Sequence, residues 1–270
     1  MNWKSQFPKE NRYFETENGI LYCAEAIETM SKFPEKIFDA IITDPPYGTT
    51  ACKWDVVIPF DDMWEYLKRI RKKNIAIVFF AKEPFASFLR VSNIEEYKYD
   101  WIWVKNNCSN FQLANVKPLT KHEIILVFSN GKTYPASSNK MKYYPQGLKK
   151  YGKVNKRGDK PQYLTKSGCE QNQYIQEKTD YPTSILYFSK EKKSLHPTQK
   201  PVALLEYLVK TYTNEGDLVL DFTCGSGTTL VACERLNRRW VGIEIEEKYC
   251  EIAKQRILKE VQQENLFKGG

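Results

Sequence analysis

The chain has 270 residues, with 41 Lys and Arg against 33 Asp and Glu, for a net charge of +8. That length buries a full core, as one large domain or a domain with a small insert, while the lack of an apolar run of about 18 residues and the polar start Met1-Asn2-Trp3-Lys4-Ser5-Gln6 set the expectation of no membrane span and no signal peptide. Seven scattered cysteines, none spaced Cys-x-x-Cys, and only two histidines argue against a disulfide framework or a metal site and for reduced thiols in a cytoplasmic protein.

The first clear element is the short, largely β-branched run over 37–43, bounded by Pro34 and Pro45, which predicts a buried strand. Apolar residues at three- and four-residue spacing predict an amphipathic helix over 59–73, with Asp61 and Asp62 early and basic residues late, matching its dipole. A second buried strand follows over 75–80, a helix over 84–91, and strand-like segments over 97–104 and 124–128. After Gly131 the pattern breaks into Lys, Tyr, Gly, Pro, Ser and Asn without period, so 131–194 reads as an insert, weakly ordered without its partner. Regularity returns with a helix over 201–212 opened by Pro201, a strand over 218–222, a helix over 228–236, a strand over 240–244 and a helix over 246–261. Residues 262–270 read as a mobile tail. The alternation of strands and helices predicts an α/β fold with a mostly parallel sheet covered on both faces.

The net charge has a location. Residues 131–194 hold 14 basic and 5 acidic residues, while the remainder holds 27 and 28. Eight tyrosines (134, 143, 144, 151, 163, 174, 181 and 187) share that segment. Cations interleaved with flat aromatic rings suit phosphate contact and base stacking; a solvated lysine-rich surface is the competing explanation.

Two segments carry the chemistry. In Asp221-Phe222-Thr223-Cys224-Gly225-Ser226-Gly227-Thr228-Thr229 a strand runs into a glycine turn and then a helix, and Gly225 and Gly227 permit close backbone approach to a ligand. About twenty residues on, Glu244 closes the next strand, where a carboxylate can hold a ribose diol. The pattern fits a nucleotide-shaped cofactor, or a tight structural turn, and does not choose among adenosine cofactors. Asp44-Pro45-Pro46-Tyr47 follows a buried strand directly. Its two prolines fix φ and remove two backbone donors. An Asp carboxylate beside a rigid Pro carbonyl can accept both hydrogens of an exocyclic amine and direct the nitrogen lone pair outward, and Tyr47 offers a stacking face for an extruded base. An Asx-Pro turn is the plain alternative.

Asp-Pro-Pro-Tyr ahead of the Gly-x-Gly turn, with His196-Pro197-Thr198-Gln199-Lys200-Pro201 between them, resembles the amino-methyltransferases of DNA in their β-type order, over most of the chain from about Leu21 to Lys254. The resemblance implies a Rossmann-like class I methyltransferase fold with a seven-stranded sheet. Residues 1–130 would form its catalytic half, 131–194 a target-recognition insert, and 195–270 its cofactor half. It implies that Asp44, Pro45, Pro46 and Tyr47 are catalytic. Asp221, Phe222, Thr223, Gly225, Ser226, Gly227, Thr228, Glu244, Thr198, Lys200 and Glu25 would bind S-adenosylmethionine. Within that set Gly225 and Gly227 line the methionine end, Glu244 takes the ribose hydroxyls, and Thr198 and Lys200 frame the methionine carboxylate, against the alternative of a solvent-facing loop lysine. The sequence departs from the family in two places: Thr223 stands where Phe is common, with Phe222 one position earlier, and Ala24-Glu25 is the nearest match to a usual Gly-Asp.

The reaction implied is direct methyl transfer to the N6 amine of an adenine flipped from double-stranded DNA, with cytosine N4 as the alternative base, since Asp as first motif residue favours adenine. Cys52 and Cys224 flank the motifs, but the Pro-Cys of a cytosine-C5 nucleophile is missing, and both read as packing residues. A nicotinamide-dependent oxidoreductase leaves the Asp-Pro-Pro-Tyr segment and the basic insert unexplained. A non-catalytic nucleic-acid-binding protein leaves Asp44 and Glu244 unexplained, and RNA or protein-glutamine methylation is the enzymatic runner-up. The resemblance leaves room for a homodimer and for a cognate restriction endonuclease.

Overall fold

The computed structural model describes residues 2–49, 55–156, 173–189 and 199–268. Its main unit comprises Met1–Tyr144 and Ser184–Gly270, and Pro145–Thr183 forms a second compact unit.

Among the described residues the main unit is built on nine strands: β1 (Arg12–Glu15), β2 (Gly19–Cys23), β3 (Ala40–Thr43), β4 (Ile77–Ala81), β5 (Tyr97–Ser109), β6 (Thr120–Phe128), β9 (Ile185–Tyr187), β10 (Leu218–Asp221) and β11 (Arg239–Glu244). They lie in the order β1-β2-β11-β10-β3-β4-β6-β5-β9. The run from β2 to β4 is parallel throughout, β6 is antiparallel to both β4 and β5, β1 is antiparallel to β2, and β9 is parallel to β5. The expected seven-stranded sheet is therefore present as β2 to β5, widened to nine by one short strand at each edge. Both additions are three or four residues long, too short to show a period in sequence.

Strand β4 shows why the sheet is buried on both faces. Ile77, Phe79 and Ala81 pack with Phe38, Met63 and Leu67 on one side, while Val78 and Phe80 pack with Leu204, Leu208 and Val231 on the other. A strand that is apolar at every position has no solvent face, which requires helices above and below. On the first face lie α1 (Ala26–Ser31), α2 (Phe60–Ile70) and α3 (Phe85–Ser92), and on the second α4 (Val202–Tyr212), α5 (Thr228–Arg235) and α6 (Glu247–Lys268). Helix α2 buries Met63, Trp64, Leu67 and Ile70, with Asp61 and Asp62 in its first turn and Lys68 and Arg69 in its last, as its spacing and dipole require.

Helix α6 runs to Lys268, so residues 262–268 are helical rather than a loose tail. Gln, Glu, Leu and Lys are good helix formers, and no Gly or Pro interrupts the segment before Gly269. No helix among the described residues is long and apolar enough to cross a membrane.

The second unit is narrower than the expected 131–194 insert. Residues 131–144 belong to the main unit: Met141 is buried in its core, Lys142 Nζ lies 3.0 Å from the buried Asp39 carboxylate, and the Tyr144 N–H donates to Thr211 O at 2.7 Å. Asp39 also accepts from Lys72 at 2.7 Å and from the Leu218 N–H at 3.2 Å, and these cationic and N–H partners hold its carboxyl below the usual carboxylate range despite burial. At the other end, β9 pairs with β5. The second unit itself contains an antiparallel pair, β7 (Lys149–Lys156) with β8 (Gln173–Thr179).

Candidate active site at the carboxyl edge of the sheet

Strand β3 ends at Thr43, and Asp44-Pro45-Pro46-Tyr47 turns off its carboxyl end. The turn is fixed by a residue well outside the motif. The buried Asp55 carboxylate accepts the backbone N–H groups of Tyr47 (2.8 Å), Gly48 (2.9 Å) and Thr49 (2.9 Å). Three charge-assisted bonds to one carboxylate define the path of the segment after the prolines.

Asp44 is held at both oxygens: Oδ1 accepts from the Tyr47 hydroxyl and Oδ2 from Lys200 Nζ. Burial, with Asp44 and Glu123 nearby, pushes the Tyr47 hydroxyl well above its ordinary pKa, so it stays a donor. The Tyr47 ring lies 5.0 Å from Phe85 at 34°. One side of that ring is thus engaged within the protein.

Behind Asp44 runs a file of buried charge. Lys200 Nζ lies 3.3 Å from Glu123 Oε2 and 5.0 Å from the centre of the Phe80 ring; Glu123 Oε1 accepts from Lys105 Nζ and lies 3.6 Å from Lys82 Nζ. Burial alone would raise the Glu123 pKa, but the three ammonium groups overcome it and bring the carboxyl down to about 2. Burial likewise opposes the Lys200 charge, and Asp44 and Glu123 together reverse that, leaving its pKa raised.

The glycine turn lies beyond the end of β10, beside β3 in the sheet. Gly225 and Gly227 have φ of 52° and 75°. A Cβ on Gly227 would stand 2.8 Å from Ala253 Cβ, so this glycine lets the turn close onto α6. Arg256 of α6 clamps the same turn, donating from Nη1 to Ser226 O (2.7 Å), Ser226 Oγ (3.1 Å) and Thr228 Oγ1 (2.9 Å). Glu244, at the end of β11, accepts the Gly225 N–H at Oε2 and the Glu246 N–H at Oε1, each at 2.9 Å. Burial raises its pKa in spite of these donors. Asp221 is buried more completely. Its carboxyl is pushed up to about 7 by desolvation, against the hydrogen bonds of Thr229 and Thr43 and the Thr223 N–H.

The two segments open onto one cavity of about 360 Å³. Asp44, Pro46 and Lys200 line it together with Asp221, Phe222, Thr223, Gly225, Ser226, Thr228, Glu244 and Glu25. Pro45, Tyr47 and Gly227 are not in its wall: Pro45 is buried, the Tyr47 ring packs against Phe85 and Gly227 backs onto α6. Phe222 is 1% exposed and packs edge-on to Phe79 at 6.3 Å, which gives its ring a core role as well. Glu25 caps α1, accepting the Glu28 N–H at 2.6 Å. Thr198, with His196 and Pro197, lies outside the described residues, as does Cys52. Among the described residues no cluster of three or more His, Cys, Asp or Glu is placed to hold a metal ion.

Sequence reading missed Asp55, Glu123, Lys105 and Arg256. Asp55 acts on Tyr47 from eight residues along the chain, Glu123 and Arg256 act on Lys200 and the glycine turn from distant segments, and Lys105 acts through Glu123. Only Glu123, a lone carboxylate at the head of the apolar run of β6, gave a local signal.

A family model described as DNA methylase matches residues 38–255, from two residues before β3 into α6. The type II methyltransferase M.HpaI of Haemophilus parainfluenzae is 30% identical over 251 residues, covering 88% of this chain and 73% of that protein. The DNA adenine methyltransferase YhdJ of Escherichia coli (strain K12) is 25% identical over 256 residues, covering 90% and 84%. The solved M1.HpyAVI-SAM complex matches with a TM-score of 0.58 at 27% identity, over 87% of this chain and 98% of that one. The matched span takes in both the segment that fixes Asp44 and the turn that Glu244 and Arg256 hold, and on that basis the chain belongs to the DNA methylase family.

Proposed function

We propose that this protein transfers a methyl group from S-adenosylmethionine to the N6 amine of an adenine drawn out of double-stranded DNA, at a specific sequence. The observation that carries the reading is that Asp44 and the Gly225 turn, from separate parts of the chain, line one cavity. Among the described residues its wall bears four carboxylates (Glu25, Asp44, Asp221 and Glu244) and one ammonium, Lys200, which suits a cofactor with cationic groups. The turn at Gly225 leaves backbone open to a ligand, and Glu244 stands at the strand end where a ribose diol is held. S-adenosylmethionine supplies an electrophilic methyl on a sulfonium sulfur.

The residues of the chain do the rest. Asp44 accepts one amine hydrogen and a rigid Pro carbonyl of the same segment the other, so the nitrogen lone pair is turned toward the methyl donor. Each carboxylate oxygen has two acceptor positions, so Asp44 receives the amine while Tyr47 and Lys200 keep it oriented. Held by a cation, Asp44 works as a fixed acceptor aimed at the amine. Adenine is favoured by Asp as first motif residue. By likeness to type II enzymes such as M.HpaI, the proposal extends to a companion endonuclease that cuts the same site.

Transfer of tritium from labelled S-adenosylmethionine to DNA, followed by long-read sequencing of DNA from expressing cells, tests the reading. N6-methyladenine at one recurring sequence is expected. N4-methylcytosine would overturn the base assignment, and unlabelled DNA would overturn the function.

A further inference from the structure

Strand β6 is antiparallel to β4 and pairs with it only from Ile124 onward, opposite Ala81. Its first four residues, Thr120–Glu123, therefore run past the end of β4 by about 13 Å at about 3.3 Å per residue. They do so at the edge where β3 delivers Asp44, because β3 and β4 are parallel. Strand β5 runs back beside them, with Val104 opposite His122 and Ser109 opposite Thr120, so the β5–β6 connection stands out beyond the catalytic edge. Its base is tied to the active site, since Glu123 contacts Lys200, which bonds Asp44.

The tip is a built turn. A short 3-10 helix, Phe111–Leu113, is closed by the N–H of Leu113 on Asn110 O (2.9 Å), of Ala114 on Phe111 O (3.0 Å) and of Val116 on Leu113 O (2.9 Å). It presents Phe111, 79% exposed, and Val116, 80% exposed, although neither contributes to a core there. Around them stand the exposed amides of Asn107, Asn110, Gln112 and Asn115, and the exposed ammonium groups of Lys117 and Lys121. No acidic residue occurs between Lys105 and His122. Amides match the donor and acceptor edges of bases, lysines match phosphates, and an apolar side chain at the tip of such an element is the kind that enters a base stack. A protein-binding patch would not need this one-sided charge.

We propose that the β5–β6 hairpin is a second DNA-contacting arm, distinct from the basic unit at 145–183, and that Phe111 enters the base stack beside the target nucleotide and stabilises the duplex while that base is extruded. The inference rests on the reading of this chain as a DNA methyltransferase, and the experiment separates the two.

The full-length protein and its Phe111→Ala and Phe111→Trp variants are compared on a duplex carrying the mapped site, with 2-aminopurine in place of the target adenine for fluorescence and adenine for rates. Because Phe111 is exposed, neither change disturbs the core, and thermal unfolding checks this. Phe111→Ala is expected to suppress the fluorescence rise and to slow methylation about tenfold or more, while Phe111→Trp retains both. Mispairing the target adenine weakens its hold in the duplex and is expected to restore most of the lost rate, with the KM for S-adenosylmethionine unchanged throughout. A Phe111→Ala protein that matches wild type in rate and fluorescence on the paired duplex overturns the arm while leaving the methyltransferase reading intact, as does an equal loss on paired and mispaired DNA. A wild-type protein that methylates no DNA overturns the reading beneath it.

Discussion

The Lys200 ammonium donates to the Asp44 carboxylate across 156 positions of sequence, and Glu123 holds that ammonium from the other side at 3.3 Å. Glu123 also accepts from Lys105, and Lys105, Glu123 and Lys200 are all buried. Removing one member of such a set leaves charge buried without its counterpart. Glu123→Gln is expected to cost about 3–5 kcal/mol in a urea unfolding experiment. It also removes one of the two carboxylates that raise the Lys200 pKa. That pKa falls in the variant, and the interaction with Asp44, present while Lys200 is protonated, is lost at lower pH. The alkaline limb of the pH–rate profile should therefore move to lower pH. An unmoved limb would show that Lys200 and Glu123 support the fold without tuning Asp44.

Asp44 itself separates binding from chemistry. Asp44→Ala removes the proposed acceptor for the amine and leaves Lys200 with Glu123. Methyl transfer should fall at least about a hundredfold, the scale for loss of a preorganised group that acts on the reacting centre. The cofactor dissociation constant by calorimetry should stay near that of the wild type. Substantial turnover in this variant would remove Asp44 from the mechanism.

Asp221 makes both stability and cofactor binding depend on pH. Its carboxyl titrates near 4 in the unfolded chain and is pushed up to about 7 by burial. Between those values the folded state binds more protons, so the contribution of Asp221 to stability is full below the lower value and is lost as pH rises through 7. Asp221→Asn should melt higher than wild type at pH 8, with the difference shrinking toward pH 4. A cation entering the cavity favours the ionised form. S-adenosylmethionine should then bind more tightly as pH rises from 6 to 8 and release a proton near pH 7, an effect that Asp221→Asn abolishes. Calorimetry in two buffers of different ionisation enthalpy measures that proton directly.

Much of the scaffold could be read before the structure, because local pattern specifies it. The continuous apolar run of β4 and the spacing of Met63, Trp64, Leu67 and Ile70 in α2 each impose one solution. The β1–β2 pair was not legible: the first strand is four residues of mixed polarity, and Gly19 is required by the Trp240 indole, which occupies the space where a Cβ would sit. In the site, the segments at Asp44 and Gly225 were legible because their prolines and glycines constrain the backbone at the carboxyl edge of the sheet, where both line one cavity. Lys200 was singled out for a cofactor carboxylate, yet its neighbours are Asp44 and Glu123. Asp55 and Arg256 gave no signal, since a carboxylate that gathers three N–H groups and a guanidinium that clamps a turn are defined by folded geometry alone.

The basic unit at 145–183 gives a salt test. It holds eight Lys and Arg against four Asp and Glu, and Lys150, Lys153 and Lys178 are exposed. If these lysines neutralise phosphates, changing all three to Gln should lower the slope of log affinity against log salt by about 0.9 for each phosphate no longer neutralised. Fluorescence anisotropy on a labelled duplex at several salt concentrations measures it. An unchanged slope would place the phosphate-binding lysines elsewhere, with Lys117 and Lys121 of the hairpin the next to test.

Gly227 tests whether the cofactor turn is shaped by its packing on α6. Its φ of 75° costs a residue with a Cβ about 1–2 kcal/mol, and that Cβ would stand 2.8 Å from the Cβ of Ala253. Gly227→Ala therefore carries two penalties, one in the backbone and one in packing, and should lose about 2 kcal/mol or more. The two can be separated. Ala253→Gly alone weakens a helix interior by about 1 kcal/mol. In the double variant the crowding is relieved and the backbone strain stays. Unfolding free energies of the four proteins should then show a favourable coupling of about 1 kcal/mol, within the range for residues that touch directly. Additive losses would mean that α6 yields to the new methyl group. In that case the turn owes its shape to the Arg256 clamp and to the bond between Gly225 and Glu244, and Arg256→Leu should weaken cofactor binding more than Gly227→Ala does.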